Sequence, residues 1–208
     1  LQTLSAANTY TAGTSITGGT LQMGINTVSG PPISGPFGSG TVTINGGALD
    51  LLGKTIANPL SITGTGFGGN GVIINSSATA GAVTGTVVLT AASSIGGANP
   101  YSINGIISGA YGLTKLGANT VTLNATNTYS GTTTVNGGRL ALLGSNTTTG
   151  ATVVTLVQLQ LGSPSNGGLA SGNLTFSIQS FLVRQGGLTI LVDCCGGNDK
   201  ERTRPHFH

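Results

Sequence analysis

The side chains able to do acid–base, nucleophilic or metal chemistry are few, and their spacing suits none of it. Ahead of Arg184 the charged residues are Asp50, Lys54, Lys115 and Arg139, and no His, Glu or Cys occurs there. A serine nucleophile needs a His base and an orienting acid, and the histidines, His206 and His208, stand at the far end. Glycosidase chemistry needs two carboxylates at a set separation, and Asp50 has no acidic partner before Asp193. Lyase chemistry on acidic sugars would need metal-binding acids or a basic cluster, and neither is present. Asp50 and Lys54, in GALDLLGK, read as solvated groups. Cys194 and Cys195 with His206 and His208 could supply four zinc ligands, but structural sites separate a cysteine pair by two to four residues. Adjacent cysteines read instead as an unpaired or accidental pair, since a disulfide between them is strained. The expectation is therefore no catalytic residue, no cofactor-binding residue, no metal ligand and no enzyme.

The run Gly66-Phe67-Gly68-Gly69-Asn70-Gly71 has the spacing of a dinucleotide fingerprint. That fingerprint must open a helix and be followed by an acid about 20 residues on. Here Val72-Ile73-Ile74 follows, which is strand-like, so the run is read as turns. The sequons at Asn75, Asn124, Asn146 and Asn173 matter only in a glycosylating host. Tyr10 and Tyr129 read as corner packing, and Thr132-Thr133-Thr134 as solvent-facing strand threonines rather than an ice-binding array.

Such residues would have to be positioned by short strands. From Gly112 to Leu142 the chain reads GLTKLGANTVTLNATNTYSGTTTVNGGRLAL. Val121 and Leu123 share a face, as do Thr133 with Val135 and Leu140 with Leu142, the period of two that marks an extended chain. Asn127 to Gly131 and Asn136-Gly137-Gly138 separate the runs as turns, because Gly and Asn tolerate positive φ. Further strands are expected at Val72–Ile74, Gly85–Leu89 and Tyr101–Ile107. Gly30 to Gly40, rich in prolines that cannot donate to a sheet, is read as a loop leaving the body.

The 208 residues are 5% charged and include 37 Gly and no Trp. Ordinary domains carry about 25% charged residues, so the composition argues against a compact α/β enzyme. The charge is too low for disorder, and the glycines lack the collagen period. The net charge is +3, and most of the charged residues crowd into the end of the chain. With no basic stripe and no interleaved aromatics, nucleic acid is not an expected partner. No apolar run approaches the ~18 to 20 residues of a membrane-spanning helix. No signal peptide is visible at Leu1-Gln2-Thr3-Leu4, so the chain is read as a fragment or as starting elsewhere.

Residues 4 to 24 match 123 to 143 at Leu4, Ala6, Asn8-Thr9-Tyr10, Thr14, Gly18-Gly19 and Leu21, and Thr43 to Leu49 echo the turn and following strand. An internal repeat of short strands points to a solenoid, in which each rung buries its inner face on its neighbours. At about 20 to 25 residues per coil and ~4.8 Å per rung, roughly eight rungs over ~40 Å are expected.

Residues 102 to 142 resemble the passenger-associated strand repeat of bacterial autotransporters. The resemblance rests on Ile107-Ser108-Gly109, Gly112 to Lys115, Gly117, Thr120 to Leu123, Asn127 to Tyr129, Gly131, Thr134 to Asn136, Gly138 and Leu140. It implies an all-β fold, a right-handed parallel β-helix (β-solenoid), carried out of the cell through a C-terminal translocator barrel that this chain lacks. A cysteine-free body is consistent with crossing the periplasm unfolded. The implied function is a non-enzymatic structural or adhesive segment, a surface stalk whose repeat aids folding during outer-membrane translocation. Implied partners are host-cell or surface glycans or proteins. A β-helix that binds or acts on surface glycans is the alternative, and a non-functional gene fragment is the third reading.

The organisation expected is a solenoid over 1–176 and a discordant tail over 177–208. The pattern departs at Thr155 to Leu159, where a Gly-Gly turn is due, and again at Ser177 to Phe181. Beyond these the composition changes to Arg184, Asp193-Cys194-Cys195 and the charged end, as a tail read out of frame or fused would show.

Overall fold

The computed structural model describes residues 1–30, 33–144 and 150–154, and the strand backbones at 158–161, 174–176, 181–185 and 188–192. Three parallel ladders run side by side; the middle of the chain visits them in rotation, and its two ends alternate between two of them. The first holds β2 (Thr14–Ile16), β4 (Val42–Asn45), β7 (Leu60–Gly64), the start of β10 (Val87–Ile95) and β12 (Ile107–Ser108). The second holds β1 (Gln2–Leu4), β3 (Thr20–Met23), β5 (Ala48–Asp50), β8 (Ile73–Ile74), the end of β10, β13 (Leu113–Lys115), β15 (Thr133–Val135), β17 (Thr152–Val154) and β19 (Leu174–Phe176). The third holds β6 (Thr55–Ile56), β9 (Gly81–Val83), β11 (Tyr101–Ile103), β14 (Thr120–Leu123), β16 (Arg139–Leu142) and β18 (Gln158–Leu161). No α-helix occurs among the described residues. The result is an all-β parallel solenoid of about 7 turns, close to the eight expected.

Coils are stacked in register, so like positions stand on like. Val121 pairs with Tyr101 below and Leu140 above, and Leu123 with Ile103 and Leu142. All six are buried. Such columns form one continuous apolar core, and each strand's second face turns outward. The coil length varies. Hydrogen bonds between adjacent coils span 28 residues at Gln22 to Asp50 and 20 at Asn127 to Ile107.

Several expectations need correction. Tyr101–Ile107 is two strands, because the chain turns at Asn104-Gly105. A Cβ at Gly105 would lie 1.9 Å from the Gly85 carbonyl oxygen, a position open to glycine alone. The third-ladder strand Gly81–Val83 was not anticipated, and β10 runs on past Leu89, crossing a corner with a register shift between Leu89 and Ser93. The Gly30–Gly40 loop does not leave the body. It folds back through hydrogen bonds from Asn8 N to Gly35 O and from Val28 N to Ser34 O, and Phe37 is fully buried. Burial of that one aromatic side chain outweighs the freedom of a Gly/Pro loop. The Gly66 to Gly71 run is a turn cluster with a short 3-10 turn at Phe67–Gly69, followed by β8.

The parallel pattern gives way to an antiparallel pair, β20 (Phe181–Gln185) with β21 (Leu188–Val192). Of the departures expected at Thr155 to Leu159 and Ser177 to Phe181, residues 155–157 and 177–180 lie outside the described residues, as does the charged end with Cys194, Cys195, His206 and His208, while 158–159 and 181 fall in β18 and β20.

Candidate functional site

The polar residues buried inside the stack are joints between coils. Asn75 is fully buried. Its Oδ1 accepts from Gly53 N (2.9 Å) and Ser77 N (3.3 Å), and its Nδ2 donates to Ser77 O, Thr79 O and, one coil on, Pro100 O (2.8 Å). Asn58 donates to Gly38 O and Gly40 O (2.8 Å), and Asn119 to Gly96 O and Asn99 O (2.9 Å). The Oδ1 atoms of these last two have no protein donor, so their amide donors make the joint. Asn127 Oδ1 accepts from Ile107 N (2.9 Å). Corners leave backbone groups unpaired, and burial without a partner is costly; asparagine supplies both donor and acceptor on a short stem.

Asp50 overturns its reading as a solvated group. It is 2% exposed and accepts from Gln22 Nε2 (2.9 Å), Leu52 N (3.0 Å), Ser76 N (3.0 Å) and Ser76 Oγ (2.6 Å). Parity along β5 turns it away from the core, and the arch carrying Ser76 covers it. Lys54 is half-buried, and the two form no acid–base pair.

Lys115 is also fully buried. Its Nζ donates to Leu116 O, to Gly117 O (3.0 Å) and to Gly137 O in the next coil (3.2 Å). Burial pulls its ammonium down to about 8. Burial likewise pushes the phenols of Tyr101 and Tyr129 up, the latter to about 12. Tyr101 Oη donates to Ile73 O (2.9 Å).

The repeat copies agree at the level of atoms. Tyr129 Oη lies 2.7 Å from Thr133 Oγ1, and Tyr10 Oη lies 3.0 Å from Thr14 Oγ1. Tyr129 is packed inside the corner as expected, while Tyr10 is 40% exposed and rests on the loop through Pro36 O. Thr133 is buried, which corrects the reading of all three threonines at 132–134 as solvent-facing. The sequon at Asn75 is closed by its own hydrogen bonds. Asn124 is exposed and donates to Asn104 Oδ1 (2.7 Å), and Asn146 and Asn173 lie outside the described residues.

The outer surface is nearly free of charge. With Asp50 and Lys115 buried, Lys54 and Arg139 are the remaining charged side chains among residues described with side chains, and both are half-buried. Outward positions form rows such as Ser15, Thr43, Ser61, Val88 and Ser108 on the first ladder. No group of three or more His, Cys, Asp or Glu gathers among the described residues, and no described helix is long and apolar enough to cross a membrane.

The sequence reading did not find the joints. For Lys115 a signal existed: in Leu113-Thr114-Lys115 parity puts the lysine on the face of Leu113. For Asp50 there was none, since its cover comes from the next coil.

Comparison with known proteins fits this geometry. The family model described as passenger-associated-transport-repeat matches residues 2–23 and 113–142. Within these segments Tyr10 aligns with Tyr129 and Leu21 with Leu140 in sequence. The adhesin BmaC autotransporter of Brucella suis biovar 1 (strain 1330) is 36% identical over 138 residues, covering 64% of this chain and 3% of that protein. The chain thus spans a small part of that relative's length. No solved structure matches the chain. The chain is thus a stacked parallel coil that carries two matches to the passenger-associated transport repeat and is similar, over 138 residues, to an autotransporter adhesin.

Proposed function

We propose that this segment is a non-enzymatic stretch of an adhesive passenger, a rigid stalk that holds binding parts away from the cell. The observation that carries the reading is the chemistry of the buried polar groups. Asp50, Lys115 and the corner asparagines bond to neighbouring coils, which stiffens the stack, and among the described residues these buried groups present no acid or base to a ligand. The likeness to an autotransporter adhesin supports adhesion as the work of the whole passenger. Partners are host-cell or surface glycans or proteins, met by an uncharged surface of hydroxyls and amides. Export runs through a translocator barrel.

The repeat copies aid folding during translocation. Each coil stacks on the one already formed, so order propagates along the chain as it emerges. Residues 1–176 form this stalk, and 177–208 are a tail of different origin. The test is deletion of residues 113–142 from the passenger that carries this segment. Surface-exposed passenger is expected to fall several-fold, with the remainder protease-sensitive. Export and protease resistance at the unaltered level would overturn the folding role.

A further inference from the structure

Inside the second ladder one position breaks the aliphatic column. Lys115 stands between Ile95 below and Val135 above, and is buried as completely as either. Its stem continues the apolar stack, as a long amphipathic side chain does. Its ammonium reaches the corner, where three carbonyl oxygens converge: Leu116 and Gly117 of its own coil and Gly137 of the next, 22 residues on. An ammonium has three protons, and all three are used.

The two corners are too close to hold each other apart. A Cβ at Gly137 would lie 2.8 Å from Gly117 O, and one at Gly138 2.3 Å from Asn119 O. The Lys115 Nζ donors bridge carbonyl oxygens of both corners. The strands paired with β13, β10 and β15, contain no carboxylate, and neither do the corners at 116–119 and 136–138. The nearest charged residue along the chain is Arg139, at the start of β16.

We propose that Lys115 is a latch between coils: by capturing the Gly137 carbonyl it seats the following corner on its own, and stacking of residues 133–142 depends on that capture. The latch rests on the coil geometry and stands apart from the adhesive reading.

Hydrogen exchange with mass spectrometry on the full chain tests it, comparing the native protein with Lys115→Met, which keeps the apolar stem. Losing a hydrogen bond from a charged donor is expected to speed exchange at 133–142 by roughly tenfold or more, while 42–64 keep their native rates. Equal acceleration in both regions, or none, overturns the proposal. Should the variant fail to fold, the native chain gives the answer by acylation with an N-hydroxysuccinimide ester. The Nζ forms an amide, N-hydroxysuccinimide departs and the amine proton passes to buffer. Lys115 is expected to react no faster than 133–142 open to exchange, and far more slowly than Lys54. Reaction of Lys115 at the Lys54 rate overturns the latch.

Discussion

At the scale of single residues, stability resides in columns and joints. Leu140 is fully buried between Val121 and Leu159 positions in register. Leu140→Ala is expected to cost about 2–5 kcal/mol by lost burial and the cavity left, and Leu140→Asp to prevent the coil from stacking; denaturant unfolding followed by circular dichroism measures both. Asn119→Asp is a finer probe. It replaces the amide donors that meet Gly96 O and Asn99 O with an acceptor facing two acceptors. A loss of about 2–3 kcal/mol is expected, and an unchanged midpoint would mean the joint carries no load. The inward pairs of this region were legible in the sequence, because Val121 and Leu123 alternate cleanly with threonines. The joints were not, since asparagine and glycine at a turn have the same composition whether the corner faces solvent or the next coil.

At the scale of elements, the two repeat copies occupy different ladders. In the first, β1 and β3 lie on the second ladder and β2 on the first; in the second, the equivalent β14 and β16 lie on the third and β15 on the second. Pairing within each copy is the same, Gln2 with Leu21 and Val121 with Leu140. The repeat therefore encodes a strand, an arch, a strand and a tight corner, and not a fixed place in the coil. Repetition was readable from Tyr10 and Tyr129, but the shift was not, because it depends on how many residues the intervening coils consume. The tight corner is the element's weak point. Gly138 has φ of 61°, and its Cβ would strike Asn119 O, so Gly138→Ala combines backbone strain with a clash. Selective loss of proteolytic protection around 120–142, with 42–64 still resistant, is the expected result.

At the scale of the whole molecule, the pH response follows from three buried groups. Lys115 titrates near 8 in the fold and about 10.4 when unfolded. Between these values the unfolded chain binds more protons, so its contribution grows as pH rises through that window and is lost as pH falls through about 8. Tyr101 and Tyr129 are pushed up, so above about pH 10 the unfolded chain loses phenolic protons that the fold retains, and stability falls. The unfolding midpoint is expected to rise from pH 7.5 toward 10 and then decline, with the rise absent in Lys115→Met.

Each coil of the parallel stack sits in register on the last. Disulfide trapping reads that register, with Cys194 and Cys195 first replaced by Ser. Ser102 and Thr122 are ladder partners on adjacent coils, and Ala141 lies one coil further. Adjacent rungs are ~4.8 Å apart, within the Cα separation a disulfide spans, while two rungs exceed its limit of about 7 Å. The pair Ser102→Cys with Thr122→Cys is expected to oxidise to an intramolecular disulfide, and Ser102→Cys with Ala141→Cys to remain reduced. Oxidation of the second pair, or of neither, would contradict the stack.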